Sequence, residues 1–200
     1  MKTSCINPQE RIISKRILST QGARATRYAV NQLFQKNELL LGTSNQIPFS
    51  IKKEICGAPY VEIIGSVRTP PLISITHTDS IAISLAIEGG QISTIGIDME
   101  RVRNFNTMTR NGFLTKNEQR DQEKSSYELK IDNTIRWCIK EAYLKSIKAG
   151  LRAHPKTIEI RGELCGSISL YRNGVFLENI LVHWTRIFDN YIVAIVLEKV

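Results

Sequence analysis

Trp137, Glu141 and Lys145 are spaced four apart, in a stretch where Ile135, Ile139, Ala142 and Ile147 recur near helical spacing and Gly150 follows as a stop signal. Residues four apart on a helix project from one face, so one face here carries an aromatic ring, a carboxylate and an ammonium. By itself a Glu–Lys pair of this spacing is an ordinary solvated pair worth about 0.3 kcal/mol. A second acidic pair upstream changes its meaning. Asp98 and Glu100 follow the apolar, β-branched run 92–97, and residues i and i+2 of a strand share a face, with Ile97 and Met99 on the other side. Two like charges so placed raise each other's pKa unless water screens them at an exposed strand end or a cation sits between them. Three carboxylates, Asp98, Glu100 and Glu141, suit Mg²⁺, a hard ion that keeps waters and takes substrate phosphate oxygens as its remaining ligands.

Gly96-Ile97-Asp98-Met99-Glu100 and Trp137-Cys138-Ile139-Lys140-Glu141-Ala142-Tyr143-Leu144-Lys145 resemble the two hallmark motifs of the 4′-phosphopantetheinyl transferase superfamily. Ser74-Ile75-Thr76-His77 resembles the Ser-x-Ser-His segment that precedes them. Order and spacing match, and the resemblance covers most of the chain after about residue 55. At 200 residues the chain is similar to the longer, single-chain, surfactin-synthetase-activating members rather than to the short trimeric ones that serve fatty-acid synthesis.

The resemblance implies an α+β fold of two similar halves related by a pseudo-twofold, with the cofactor cleft between them. It implies transfer of 4′-phosphopantetheine from coenzyme A to a serine of an acyl or peptidyl carrier protein, with release of adenosine 3′,5′-bisphosphate. Asp98, Glu100 and Glu141 are then the Mg²⁺ ligands. Glu141 and Lys145 are the catalytic residues, Glu141 as the base for the serine and Lys145 on the pyrophosphate oxygens. Thr76, His77 and Lys145 fall at coenzyme-binding positions. Family members carry Gly-Arg before a small-residue helix; here Gly22-Ala23-Arg24 displaces the arginine by one, which leaves Arg24 and Arg27 as candidates for the nucleotide phosphates. Gly57-Ala58-Pro59-Tyr60 resembles a Gly-Lys-Pro segment whose lysine meets a phosphate of coenzyme A. With Ala58 in that place, the contact is absent or comes from Lys52, Lys53 or Arg68.

Two hundred residues allow one large domain or two small ones with ample core. Lys and Arg number 27 against 19 Asp and Glu, a formal charge of +8, with an isoelectric point near 9.4. Such a surface attracts polyanions, whether nucleic acid, phosphorylated cofactors or an acidic protein. It fits an acidic carrier, and the charge is spread along the chain without forming a basic tail. Cys5, Cys56, Cys138 and Cys165 form no C-x-x-C pattern, which argues against zinc and for reduced thiols in a cytoplasmic protein. Cys138 falls in the apolar part of the helix pattern and reads as core. Residues 1–10 lack the apolar centre of a signal peptide, and the apolar run 192–197 is far too short to span a bilayer. The expected protein is a cytoplasmic monomer without nucleic-acid or membrane partners.

The elements that must position these residues follow from pattern. Residues 8–40 read as helical, with Ile12, Ile13, Ile17 and Leu18 as one stripe, a break near Gly22, and Ala25, Tyr28, Ala29, Leu33 and Phe34 as another. Residues 41–59 read as loop. Strands are expected at 60–64, 72–76, 81–87 and 92–98, with a hairpin turn at Glu88-Gly89-Gly90-Gln91. Short helices are expected around Phe113-Leu114 and over 116–123, where Thr115 or Asn117 is the cap, and the organising helix spans 131–149. Strands at 157–161, 167–171, 180–184 and 191–197 follow, with Asn173-Gly174 as a strong hairpin signal. Residues 80–85 echo 191–196, and the chain divides near residues 101–110 into halves 1–103 and 104–200.

Two other readings compete. Asp, Glu and Lys beside a metal on a basic protein also equip a Mg²⁺-dependent nuclease, although such enzymes commonly place Glu-x-Lys on a strand. A basic binding module that kept the fold without activity is the other, motivated by Ala58 and the displaced Arg24.

Overall fold

The structure, a computed structural model, describes residues 13–18, 22–41, 47–65, 67–78, 81–188 and 190–200. The first part of the chain runs β1 (Ile13–Leu18), α1 (Gly22–Leu41), β2 (Phe49–Lys53), β3 (Pro59–Ile63), β4 (Leu72–Thr78), β5 (Ile81–Ile87) and β6 (Ile92–Arg101). Then come α2 (Thr107–Phe113), α3 (Lys116–Gln122), α4 (Leu129–Ser146), β7 (Ile158–Arg161), β8 (Ser169–Arg172), β9 (Val175–Phe176), β10 (Ile180–Ile187) and β11 (Tyr191–Lys199). Helices and antiparallel sheets are mixed along the chain, an α+β architecture as expected.

Among the described residues the strands form sheets ordered β1-β5-β4, β10-β11-β6, β2-β3 and β7-β8-β9. The echoing segments 81–85 and 191–196 lie in β5 and β11, the central strands of the two larger three-stranded sheets. Every residue of β5 is buried because both of its faces are covered. Ala86 packs with Ala29, Val30, Leu33 and Phe34 of α1, while Ile81, Ile83, Leu85 and Ile87 pack with Ile95, Ile97 and Met99 of β6 and with Val193 and Leu197 of β11. A third core surrounds α4, where Ile135, Cys138, Ile139, Ala142 and Leu144 meet Ile158, Ile160, Leu170 and Ile192. Cys138 is core, as read from the sequence, and Cys56, Cys138 and Cys165 are free thiols.

Three expectations need correction. The stripe through Ile13, Ile17 and Leu18 is not helical. Residues 13–18 form a strand antiparallel to β5, from Ile13 opposite Ala86 to Leu18 opposite Ile81. Three apolar residues in a six-residue segment do not separate the two periodicities, and pairing with β5 decides between them. The rest of that helix expectation, 8–12 and 19–21, lies outside the described residues. The stretch 41–59 contains strand β2, paired with β3 from Phe49 opposite Ile63 to Lys53 opposite Pro59. The turn at residues 88–91 does not close a hairpin, since β6 pairs with β11 in the other sheet, Asp98 lying opposite Ala194. The Asn173-Gly174 turn does close one, with both residues at positive φ between Arg172 and Val175, the backbone that a two-residue hairpin requires. No helix among the described residues is long and apolar enough to cross a membrane.

Candidate functional site

Strand β6 has two faces with different tasks. Ile95, Ile97 and Met99 enter the apolar core, and Gly96, Asp98 and Glu100 face α4. The helix lies against the strand at Gly96, where a Cβ atom would come within 1.9 Å of the Ala142 carbonyl oxygen. Only glycine permits that approach. It brings the Trp137, Glu141 and Lys145 face of α4 onto the carboxylates of β6.

Contacts run in order along the two elements. Trp137 Nε1 donates to Glu100 Oε1 at 3.0 Å. Lys145 Nζ donates to Asp98 Oδ1 at 2.7 Å and to the Ile97 carbonyl at 3.2 Å. Glu141 lies one helical turn from each of these donors. Arg103 approaches Glu100 Oε2 at 3.7 Å. The ion pair of Lys145 is therefore with Asp98 across the interface, which sets aside an isolated Glu–Lys pair within the helix.

The electrostatics follow from burial and like charge. Burial, then the Asp98 charge, pushes the Glu141 carboxyl up to about 7, against the pull of Lys145. Burial and Asp98 also raise Glu100, opposed by the hydrogen bond from Trp137. Asp98 Oδ2 and Glu141 Oε1 are buried without a hydrogen-bond partner, a costly state for a carboxylate oxygen.

Those two orphaned oxygens and the all-oxygen donor set fit Mg²⁺ in their chemistry. As the side chains stand, no three His, Cys, Asp or Glu residues among those described are gathered closely enough to hold a metal ion. The ammonium of Lys145 sits on Asp98 instead.

The Ser-x-Thr-His segment lies on β4, at the seam between the two larger sheets. Ser74 Oγ accepts from Ile97 N at 3.1 Å, and Thr76 Oγ1 accepts from Met99 N at 3.1 Å while donating to Asp98 Oδ1 at 3.1 Å. Pairing 74 with 97 and 76 with 99 means that β4 and β6 run the same way. Two hydroxyls thus stand in for a strand ladder. Thr76 is buried and committed to Asp98 and β6, so its side chain orients a carboxylate. His77 is the next residue and is exposed, as are Arg24 and Arg27 on α1.

Along the same seam runs a groove of about 440 Å³. Its lining comes from residues 56–60, from Pro71 and β4 at 72–75, from β6 at 93–95, and from Lys145, Ser146, Lys148 and Gly150. Lys52, one candidate for the missing phosphate contact, is paired with Glu62 at 2.6 Å. Lys148, a cation that reading by motif overlooked, borders the groove instead.

The first lysine of the helix motif has a different place. Lys140 is fully buried, donating to Glu118 Oε2 at 2.7 Å and to the Phe113 carbonyl at 2.6 Å. Glu118 also accepts from Thr115 N at 2.7 Å and Ile160 N at 3.0 Å, and with Thr115 it forms the capping box of α3. This network fixes Phe113, whose ring meets Trp137 edge-on at 5.2 Å. Burial depresses the Lys140 ammonium, with Glu118 opposing. The i,i+4 spacing keeps Lys140 off the Trp137–Glu141–Lys145 face, but nothing in the one-dimensional pattern gives it a buried partner. The Thr115–Glu118 capping box, legible in the sequence, was the available hint that Glu118 sits at an ordered helix start.

Residues 94–196 match the family model described as the 4′-phosphopantetheinyl transferase superfamily. No curated protein matches by sequence. Among solved structures, a holo-(acyl-carrier-protein) synthase from Bacillus anthracis in complex with CoA (3′,5′-ADP) is 24% identical with a TM-score of 0.43, over 55% of this chain and 98% of that one. The holo-[acyl-carrier-protein] synthase of Thermotoga maritima is 23% identical with a TM-score of 0.46, over 55% of this chain and 65% of that one.

Proposed function

The chain belongs to the 4′-phosphopantetheinyl transferase superfamily and is a transferase of that class; on this premise we propose that it moves 4′-phosphopantetheine from coenzyme A to a serine of an acyl or peptidyl carrier protein, releasing adenosine 3′,5′-bisphosphate. The observation that carries the reading is the ordered meeting of Trp137, Glu141 and Lys145 with Glu100 and Asp98, which leaves two buried carboxylate oxygens unpartnered beside a groove that Lys145 borders.

Phosphoryl transfer needs alignment and charge neutralisation more than covalent help. Asp98, Glu100 and Glu141 would hold Mg²⁺, which when bound neutralises charge on the pyrophosphate. Lys145 reaches from α4 to the groove and offers its ammonium to non-bridging oxygens. Glu141, one helical turn from Lys145, accepts the proton of the attacking serine hydroxyl. The new P–O bond forms at the β-phosphate as the bond to the bridging oxygen breaks, and that oxygen leaves on the nucleotide. Thr76 holds Asp98 in place through its hydroxyl. His77, Arg24 and Arg27 are assigned to the nucleotide end as exposed donors. The partner is taken to be acidic, to match the net charge of +8. Division into halves 1–103 and 104–200, related by a pseudo-twofold, is supported by the matched central strands β5 and β11, with β6 crossing over to pair with β11.

Mass spectrometry of a panel of apo-carriers from fatty-acid, polyketide and peptide systems tests this. A phosphopantetheine-sized gain is expected only when coenzyme A and Mg²⁺ are both present. No gain on any carrier, with cleavage of DNA or RNA by the same preparation, would overturn it.

A further inference from the structure

The groove at the seam poses a charge problem. Lys145, which borders it, is already engaged with the carboxylate cluster, donating to Asp98 and to the Ile97 carbonyl. The 54–60 turn that forms one border carries no cation at all. Among the lining residues, Lys145 and Lys148 are the only lysines or arginines. Lys148 lies just beyond α4 in a left-handed conformation, φ 54°, which a lysine adopts at a cost in backbone strain. Its backbone is tied down on both sides. Lys148 N donates to the Lys145 carbonyl at 3.0 Å, and the Lys148 carbonyl accepts from Arg152 Nη2 at 2.7 Å. The side chain is thus launched from a fixed point.

Its ammonium meets Glu54 Oε1 at 2.5 Å. Glu54 is held in turn. Its amide donates to the Ala58 carbonyl and its own carbonyl accepts from Gly57 N, both at 2.8 Å, with Gly57 at φ +88°. The Glu54–Lys148 pair joins the end of α4 to the turn, two segments that border the groove from distant parts of the sequence. Lys148 is 53% and Glu54 35% exposed, so water screens the pair and it contributes little net stability. A phosphate oxygen offers the same ammonium an equal or stronger partner.

We propose that Lys148 is a phosphate-binding residue for the coenzyme, and that Glu54 holds its ammonium at the groove until a phosphate of the ligand takes over. The proposal rests on the transferase reading. It assigns to α4 two cations with separate tasks, Lys145 beside the carboxylates and Lys148 nearly one turn further on, and it makes Glu54 a competitor of the ligand for Lys148.

Isothermal titration calorimetry on the full chain, with coenzyme A and with 3′-dephospho-coenzyme A in the absence of carrier, tests this. Lys148→Ala should weaken coenzyme A by about tenfold, and Lys148→Arg should recover part of the loss. Glu54→Gln, which removes the competitor, should tighten coenzyme A by about two- to fivefold. Weakening confined to coenzyme A assigns Lys148 to the 3′-phosphate, and equal weakening of both ligands assigns it to the pyrophosphate; both support the proposal. Unchanged affinity in Lys148→Ala with an unchanged melting temperature overturns it, as does weaker binding in Glu54→Gln. A wild-type chain that binds no coenzyme A fails the transferase reading itself, a result distinct from wild-type binding that Lys148→Ala leaves intact.

Discussion

Lys145 and Asp98, 47 residues apart in sequence, form a hydrogen-bonded ion pair of 2.7 Å that joins α4 to β6 at the carboxylate cluster. Asp98 uses one oxygen for both Lys145 and Thr76 and leaves the other buried and unpartnered. Such an arrangement holds a charge open for a second cation. Asp98→Ala should abolish turnover at every Mg²⁺ concentration. Lys145→Ala should lower turnover, raise the KM for coenzyme A, and destabilise the metal-free protein by about 2 kcal/mol, because a nearly buried carboxylate loses its partner. Added Mg²⁺ should restore part of that stability. Thermal melts with and without Mg²⁺, beside steady-state kinetics, check this; an Asp98→Ala variant that turns over normally would sink the site as drawn.

Gly96 sets the spacing on which that pair depends. A methyl group there would overlap the Ala142 carbonyl and press on Ser146 N at 2.7 Å, both backbone atoms that cannot rotate away. Gly96→Ala should cost about 3 kcal/mol and prise α4 from β6. Its signature is a joint loss, with the melting temperature and the Mg²⁺ response falling together. Retention of both would mean that the helix can shift without disturbing the cluster.

How far the sequence foretold this site depends on which contacts are periodic. The i,i+4 spacing put Trp137, Glu141 and Lys145 on one face, and the i,i+2 spacing put Asp98 and Glu100 on another; the structure sets those faces against each other. Side-chain assignments within them were less legible. That Thr76 would spend its hydroxyl on Asp98 and Met99 depends on β4 lying beside β6, a non-local seam that local patterning does not encode. The strand at 13–18 was missed for the same reason, since only pairing with β5 distinguishes it from a helical stripe. Lys148 was overlooked because the contact was sought at Ala58 and its neighbours, whereas the groove is completed by a residue beyond the helix motif.

Lys140 and Glu118 are both fully buried and hydrogen-bonded, and they hold the start of α3 to α4. Lys140→Met should destabilise the fold by about 3–5 kcal/mol because Glu118 is left charged and buried. The double variant Lys140→Met, Glu118→Met should recover much of the pair's Coulombic share, while still losing the capping contacts of Glu118. Denaturant unfolding of the two singles and the double gives the coupling directly. A Lys140→Met variant of wild-type stability but no activity would instead make Lys140 part of the chemistry.

Glu141 ties stability to pH with a definite sign. Its carboxyl is pushed from the ordinary 4.5 up to about 7 by burial and by Asp98, so ionisation disfavours the folded, metal-free state. The cost is absent below the unfolded value, grows as pH rises through that window, and is constant above about 7. Glu141→Gln removes it. The variant should therefore gain on the wild type as pH rises, reaching about 1–2 kcal/mol once the full shift is discounted for a partly exposed group. Mg²⁺ should close that gap, because a cation on the cluster stabilises the wild-type carboxylate and finds a poorer ligand in the amide. Turnover by Glu141→Gln should nevertheless fall by orders of magnitude at every pH. Melting curves at several pH values with and without Mg²⁺, together with single-turnover rates, separate these effects. If the stability difference between the two proteins were flat with pH, or if the variant were unfolded yet active per folded molecule, Glu141 would be a structural residue of α4 and the base would have to be sought elsewhere.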